Sequence, residues 1–178
     1  MGSLIAQHFH FPLELLMTKK IGHPINKEFA IGSVSLESRI TDPKIFVGIE
    51  YLINETNRIR KNLQDTYARF MGKTRAISLK NKTVILVDDG VATGYTLEAA
   101  VDLVRKKNPK WIVAAIPVAP PDVAQKLKQK VDEFICLRTP CDFQSVSQYY
   151  WDFSAVKDEE IGKWISAASS KKSKLIKL

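Results

Sequence analysis

The run from Val84 to Thr96 constrains the fold more than any other part of the chain. Four β-favouring apolar residues lead into two adjacent acids, Asp88 and Asp89, and a turn rich in glycine and hydroxyl side chains precedes a helical stretch over 97–104. A short continuous apolar run is typical of a buried parallel strand. The run therefore predicts a strand, a turn and a helix. Both acids are then expected at the carboxyl edge of an open α/β sheet, where such sheets bind ligands.

The turn between this strand and its helix is suited to a phosphate group. Small residues before a helix leave backbone N–H groups without partners at the positive end of the helix dipole, and this arrangement favours an anion. Asp88 and Asp89 lie one loop-length away, where they could bind hydroxyls on the group that carries the phosphate. An ordinary β-turn-α junction with solvated acids is the alternative. A Walker-type phosphate loop is excluded because no lysine precedes the Ser/Thr.

The same run resembles the signature of type I phosphoribosyltransferases, which is an apolar strand, two acids, a variable pair and a small-Thr-Gly-x-Thr loop. The resemblance implies that Asp88 and Asp89 are the catalytic pair and bind the ribose hydroxyls of phosphoribosyl pyrophosphate, while the loop wraps its 5-phosphate. The substrate-binding residues that it implies are Asp88, Asp89, Gly90, Ala92, Thr93, Gly94, Tyr95, Thr96 and Lys20. It also implies Mg²⁺ as the cofactor, held mainly by substrate oxygens and not directly by protein side chains.

Two further blocks resemble a bacterial phosphoribosyltransferase-like subgroup. The first, over 19–34, carries a basic pair, a Gly-x-Pro turn and a Glu-Phe-Ala, and implies that Lys20 reaches pyrophosphate oxygens. A solvated loop lysine is the alternative. The second, Tyr149 to Phe153, supplies aromatic rings that could stack a base, or that pack between the last helix and the sheet.

The chain departs from the family pattern in two places. The family's early strand and its glycine-containing pyrophosphate loop are absent, which is expected to leave backbone groups of the sheet unpaired and leaving-group charge poorly stabilised. Truncation, another chain that fills the gap, and loss of catalysis remain open as explanations. Ala92 stands where enzymes for 6-oxopurines carry an acid, so such a purine is disfavoured, whereas adenine and uracil remain open.

Alternating strands and helices predict an α/β fold with an open, mostly parallel sheet flanked by helices and its first core strand missing. The predicted strands are 13–18, 30–34, 36–40, 83–88, 111–118 and 132–137, and the predicted helices are 3–9, 47–70, 94–107, 121–130 and 157–168. Loops are predicted over 19–29 and, with the option of a short helix, over 143–153. The apolar face predicted for the longest helix holds Ile49, Leu52, Ile53, Ile59, Leu63, Tyr67 and Phe70.

Length and charge bound the remaining possibilities. The 178 residues predict one domain over 1–168 and a basic tail over 169–178, which supplies half of the net charge of +8. The sequence shows no membrane-spanning run and no signal peptide, so we expect a cytoplasmic protein without a membrane partner. Cys136 and Cys141 lack zinc-ligand spacing and are interpreted as idle thiols. An unpaired sheet edge would favour a homo-oligomer.

The leading hypothesis is transfer of ribose 5-phosphate from phosphoribosyl pyrophosphate to a nitrogen nucleophile, with release of pyrophosphate. The alternative is a non-catalytic regulatory module that binds a phosphoribosyl ligand on the same fold, because the early pyrophosphate loop is absent. A nucleic-acid-binding protein that acts through its basic residues is the least favoured hypothesis, since no aromatic residues interleave the terminal lysines.

Overall fold

The computed structural model describes residues 1–72, 77–157 and 160–165 of the 178-residue chain. Its strands are β1 (Thr18–Gly22), β2 (Ala30–Ser35), β3 (Arg39–Thr41), β4 (Thr83–Val87), β5 (Trp111–Val118) and β6 (Glu133–Arg138). Its helices are α1 (Gly2–Phe9), α2 (Ile49–Met71), α3 (Tyr95–Arg105) and α4 (Pro121–Lys128), with a short 3₁₀ helix at Val146–Tyr149. Residues 160–165 are also helical.

The strands form two three-stranded sheets of different type. Strands β4, β5 and β6 are parallel in that order, with Val87 opposite Ala115 and Ala115 opposite Ile135. Strands β1, β2 and β3 form an antiparallel meander. In the part of the chain that the structure describes, β4 pairs with β5 alone and is therefore an edge strand.

Helix α3 lies between the two sheets and is buried on several sides. Leu97, Val101 and Val104 join the core formed with β4, β5 and α4, which includes Leu86 and Ile112. The opposite side of α3 contacts the antiparallel sheet. A second core packs α2 against β1 and β2, and its buried members are Ile21, Ile31, Val34, Ile59 and Leu63. An apolar helix enclosed in this way holds the turn before it in a fixed position.

The predicted α/β fold with a parallel sheet and flanking helices is confirmed. Strand β5 has the predicted limits, and the strand, turn and helix of the 84–96 run lie within two residues of theirs. The predicted strand 30–34 lies within β2, but the bounds predicted for the next strand, 36–40, are wrong: residues 36–38 form the connection of the hairpin, and β3 begins only at Arg39. The sheet is not a single mostly parallel one, because the first three strands form their own antiparallel sheet.

The prediction of a strand over 13–18 is wrong, and so is the prediction that the loop begins at 19. The strand instead begins at Thr18, so residues 19–22 belong to β1. Residues 13–17 cross between the two cores: Leu16 packs on the α3 core and Met17 on the α2 core. The Glu14 carboxylate accepts hydrogen bonds from Tyr67 Oη at 2.9 Å and from the amide of Ile77 at 2.8 Å. The apolar run therefore fills two cores without joining a strand ladder.

The predicted apolar face of the longest helix is partly wrong. The buried stripe of α2 contains Glu55, Thr56, Ile59 and Leu63. Ile49 and Ile53 are instead exposed. The six-residue step from Ile53 to Ile59 turns the helix by roughly 240° beyond a full turn, so these two side chains lie on different faces.

Some predictions lie wholly or partly outside the described residues. The basic tail 169–178 is outside them, and so is the end of the helix predicted over 157–168. No helix among the described residues is both long enough and apolar enough to cross a membrane.

The close approach of β2 and β3 at Gly32 gives a test of the hairpin. A Cβ at Gly32 would lie 2.2 Å from the carbonyl oxygen of Ile40, whereas a Cβ at Gly162 has nothing within 4 Å. We expect Gly32→Ala to lower the free energy of unfolding by about 1–3 kcal/mol through overpacking. Gly162→Ala is the control, because the residue is helical and alanine favours a helix over glycine, so urea denaturation should show no loss of stability. Equal costs for the two variants would contradict the close β2–β3 approach.

Candidate phosphate and ribose site

The signature run is positioned by parallel pairing of β4 with β5. Val84 lies opposite Ile112 and Val87 opposite Ala115, so both strands deliver their carboxyl ends to the same edge. Past that edge, the amide of Val91 donates to the carbonyl of Val118 at 2.9 Å. This bond ties the turn to the end of β5. The turn is therefore anchored at the edge of the sheet where ligands of α/β proteins bind.

Gly94 caps the amino terminus of α3 in a left-handed conformation, with φ of 84°. L side chains rarely adopt this region, so the turn requires glycine. A Cβ at this position would lie 3.2 Å from Val123 Cγ1 of α4. A larger residue would therefore act through backbone strain and a clash with α4, and not by filling the phosphate position directly.

The amides of the predicted phosphate loop are free to bind a ligand. Within the described residues, the backbone N–H groups of Ala92 to Thr96 donate to no protein acceptor. They precede or open an 11-residue helix, whose dipole places partial positive charge at the same end. The side chains of Ala92, Thr93 and Thr96 are exposed. Free amides at an exposed helix amino terminus are suited to a phosphate.

The two acids differ in their surroundings. Asp88 is half-buried, and its Oδ1 accepts a hydrogen bond from the amide of Asp89 at 3.0 Å. Burial raises the pKa of Asp88 to about 6; the bond from the Asp89 amide opposes the rise, and the charge of Asp89 adds to it. Asp89 is exposed to solvent. The pair thus consists of one carboxylate that resists ionisation and one that faces water.

One residue of the aromatic block over 149–153, Tyr150, contacts the backbone between the strand and the loop. Tyr150 Oη donates to the backbone carbonyl of Asp89 at 2.5 Å, and burial raises the pKa of Tyr150, with the charges of Asp89 and Asp88 adding to the rise. The preceding 3₁₀ helix packs on the turn, because a Cβ at Gly90 would lie 2.5 Å from Val146 Cγ1. Trp151 is fully exposed. The sequence indicates this block as a possible surface for stacking a base, but the contact of Tyr150 with Asp89, which adds Tyr150 to the candidate site, is seen only in the structure.

A second side-chain network fixes the first turn of α3. Tyr95 Oη donates to Asp42 Oδ2 at 2.5 Å, which links the helix to the residue directly after β3. This bond lowers the pKa of Asp42, whereas burial raises that of Tyr95 to about 12, so the tyrosine stays a proton donor.

The same turn holds a buried acid. Lys126 Nζ of α4 lies 2.5 Å from Glu98 Oε1 and 5.4 Å from the centre of the Tyr95 ring. The Glu98 carboxylate is 8% exposed, and its contact with Lys126 is an ion pair without the directionality of a hydrogen bond. Lys126 thereby balances the charge of an acid that lies one helical turn from Gly94.

Lys20 does not join the signature residues through any contact in the described part of the chain. It lies within β1, and its Nζ is 2.9 Å from Glu28 Oε2, with both side chains exposed. An exposed pair of this kind contributes little to stability and is easily exchanged for another partner. Its assignment to pyrophosphate binding stays a prediction.

No group of three or more acidic, histidine or cysteine side chains among the described residues could hold a metal ion. Asp88 and Asp89 supply oxygen ligands of the kind that Mg²⁺ prefers, but too few to bind it alone. This donor set fits an ion that arrives with, and is mainly held by, a phosphorylated substrate.

The phosphoribosyl transferase domain family matches residues 3–154, which includes both acids, the free amides and Tyr150. The chain belongs to this family. The crystal structure of TT1426 from Thermus thermophilus is similar, with 34% identity and a TM-score of 0.74 over 92% of this chain and 79% of that one.

Two Mycobacterium tuberculosis proteins are also related. They are "Putative phosphoribosyl transferase Rv0571c" of strain H37Rv and "Putative phosphoribosyl transferase MT0597" of strain CDC 1551. Each is 28% identical to this chain over 169 residues. The match covers 92% of this chain but 38% of either relative. This chain thus corresponds to less than half the length of those proteins.

The raised pKa of Asp88 predicts a stability change when its charge is removed. The unfolded chain keeps the ordinary value of 3.8, so this group's stabilising contribution is complete below 3.8 and is lost as the pH rises through about 6. Asp88→Asn does not lose stability in this way, because asparagine carries no group that ionises. We expect the melting temperature of this variant to exceed that of the native chain near pH 7. The difference should vanish below pH 3.8, where Asp88 is protonated in both the folded and the unfolded chain.

Asp89→Asn is the matched control, because it removes the same charge from an exposed neighbour. It should change the melting temperature less than Asp88→Asn does. A melting curve of Asp88→Asn that follows the native one at every pH would contradict the burial of this carboxylate.

The contact between Tyr95 and Asp42 predicts coupled losses of stability. In a double-mutant cycle of Tyr95→Phe with Asp42→Ala, removing the hydroxyl should shift the urea midpoint clearly in the native background and hardly at all once the Asp42 carboxylate is gone. Tyr67→Phe is the control, since its hydroxyl bonds to Glu14 instead. Additive shifts for the Tyr95 and Asp42 changes would show that the two groups do not interact in solution.

Proposed function

We propose that this chain binds phosphoribosyl pyrophosphate and transfers ribose 5-phosphate to a nitrogen nucleophile, releasing pyrophosphate. The observation that carries the proposal is the placement of two adjacent carboxylates beside free amides at the amino terminus of α3. A sugar phosphate presents the complementary groups, a dianion at one end and neighbouring hydroxyls on the ring. Membership of the phosphoribosyl transferase domain family supports the same assignment.

In this proposal the loop over 92–96 holds the 5-phosphate and the acids hold the ribose. The amides donate to the phosphate oxygens, and the helix dipole adds favourable charge. Asp88 and Asp89 accept hydrogen bonds from the 2- and 3-hydroxyls, which requires their carboxylates to be ionised. Because the pKa of Asp88 is about 6, most of it is ionised near neutral pH. Binding of a hydroxyl would favour the ionised form further.

The proposed reaction breaks the bond between the anomeric carbon and a pyrophosphate oxygen and forms a bond from that carbon to nitrogen. The bonding electrons leave with pyrophosphate, so the ring carbon passes through an oxocarbenium-like state, and the nitrogen gives up its proton to solvent after attack. The chain's own residues supply placement of the reactants more than covalent chemistry. Mg²⁺, when bound with the substrate, balances the charge of pyrophosphate.

The nucleophile would approach from the side of the acids that Tyr150 occupies. Its hydroxyl already contacts the Asp89 carbonyl, and its ring lies 5.2 Å from that of Phe153. Aromatic faces of this kind can stack a heterocyclic base. Ala92 adds no acid that could contact a purine oxygen, so we propose a base without the 6-oxopurine pattern.

Removal of both acid charges tests the ribose assignment. Asp88→Asn with Asp89→Asn should weaken phosphoribosyl pyrophosphate binding by at least about 100-fold, because two hydrogen bonds to charged acceptors contribute about 1.5–3 kcal/mol each. Isothermal titration calorimetry with Mg²⁺ present measures the effect. Asp65→Asn with Asp102→Asn removes two charges from other exposed acids and should leave the affinity within about twofold.

A turnover assay on the same proteins separates catalysis from binding. Release of pyrophosphate that depends on an added nitrogenous base supports the transferase. Tight binding without release would identify a phosphoribosyl-binding regulatory module on the same fold. Equal affinity in the native chain and the Asp88, Asp89 double variant would overturn the site assignment in both cases.

A further inference from the structure

A concave surface between β3 and α2 lies apart from the signature turn. It is an open groove of about 390 Å³, and its lining residues, here called the arginine groove, are Arg39, Ile53, Thr56, Asn57 and Arg60. The four helical members follow the steps of three and four residues that place side chains on one face of a helix. None of the five belongs to the acids, the phosphate loop or the aromatic block. The proposed phosphoribosyl site therefore does not account for this groove.

Both arginines are held loosely by the protein. Arg39 Nη1 donates to Thr56 Oγ1 at 3.4 Å, and Arg60 Nε donates to the carbonyl of Ser35, also at 3.4 Å. Both distances are at the long end of the range for hydrogen bonds. A guanidinium carries about five N–H donors in a planar fork, so most donors of both groups remain available to a ligand.

Neither arginine has a carboxylate partner within the described ranges. Arg58, on the same helix, does have a carboxylate partner. Arg58 Nη2 lies 2.7 Å from Glu55 Oε1, and this pairing lowers the pKa of Glu55. Glu55 of α2 is thus already paired with Arg58. The arginine groove keeps two positive charges on a concave surface, where the field of like charges is focused.

We propose that the arginine groove binds a phosphorylated small molecule, at a site separate from the phosphoribosyl site. Two guanidinium forks match the oxygens of a phosphate monoester, and a charged arginine–phosphate pair is among the stronger hydrogen-bonded contacts. The Asn57 amide adds a donor, and Ile53, which is 49% exposed, offers an apolar contact to the carbon part of the ligand.

Size and lining favour a small molecule over a nucleic acid. The groove is open to solvent, and its volume of about 390 Å³ has room for a small phosphorylated molecule. Single-stranded nucleic acids are usually bound through aromatic rings that stack on the bases, and none of the five lining residues is aromatic.

Phosphate titration followed by NMR tests the proposal on the native chain. Inorganic phosphate, added at constant ionic strength, should cause saturable shifts of the Arg39, Thr56, Asn57 and Arg60 signals. Arg39→Gln with Arg60→Gln should weaken those shifts by at least about tenfold, because both charge-assisted contacts are lost. Lys61→Gln with Lys110→Gln removes two exposed charges outside the groove and should leave the affinity unchanged.

The same spectra distinguish this proposal from the proposed function. Signals of residues 92–96 report on the phosphate loop and should respond equally in the native chain and in the arginine variant. If the signals of residues 92–96 do not respond to phosphate, this result contradicts the proposed phosphate loop and not the proposed site in the arginine groove. Arg39→Lys with Arg60→Lys keeps the charge without the fork and should bind with intermediate affinity, which excludes unfolding as the cause of any loss.

Three results would overturn the proposal. One is the absence of saturable shifts at the groove, and another is equal weakening by the lysine control pair. The third is tighter, salt-dependent binding of a single-stranded oligonucleotide that shifts the groove signals, because it would make the ligand a nucleic acid.

Discussion

Enclosure of α3 between the two sheets is the constraint on which the rest of the molecule depends. The helix presents apolar side chains to β4, β5 and α4 on one side, and its other side meets the antiparallel sheet. Ala99 is fully buried, and its carbonyl accepts a bond from Ser38 Oγ at 3.4 Å. A helix held this way cannot turn about its axis without breaking both packings. The direction of its free amides is therefore fixed before any ligand arrives, which reduces the ordering that binding requires.

This rigidity allows the site to keep groups that are unfavourable in isolation. Asp88 is half-buried beside a second acid, and the chain holds it there through the amide of Asp89 and the packing of β4. Glu98 is buried one turn into α3, where Lys126 balances its charge. Carboxylates in such places oppose folding, and the apolar cores of the two sheets offset their cost. Strained or costly groups of this kind concentrate at functional sites.

The sequence alone predicts those helices and strands whose determining residues are neighbours in the chain. The 84–96 run predicted its strand, turn and helix because the apolar strand, the acids and the left-handed glycine follow one another in the chain. The strand predicted over 13–18 failed because Leu16 and Met17 serve different cores, and an apolar run does not reveal which core each side chain enters. The helical face predicted for α2 is wrong at Ile53 because the six-residue step to Ile59 places the two side chains on different faces of the helix.

The site shows the same division. That Asp88, Asp89 and the loop amides lie close together could be predicted from their spacing, whereas the bonds of Asp42 to Tyr95 and of Tyr150 to Asp89 join residues 53 and 61 positions apart. No periodicity links such distant positions, so only the folded chain brings them together. The aromatic block was visible in the sequence, but its contact with the acids was not.

We expect the specificity for the nucleophile to be set by residues that are distant in the chain from the signature run. The groups that would hold the sugar phosphate come from one continuous segment, whereas the groups around them come from the β3 end, from α4 and from the aromatic block. Changes in those distant elements can alter the space beside the acids without disturbing β4, Gly94 or the free amides. Function is thus a property of the site grafted on the fold, and the fold alone does not determine it. Under the proposed function, we expect the nucleophile to bind near Tyr150, because the hydroxyl of this side chain contacts the backbone of Asp89.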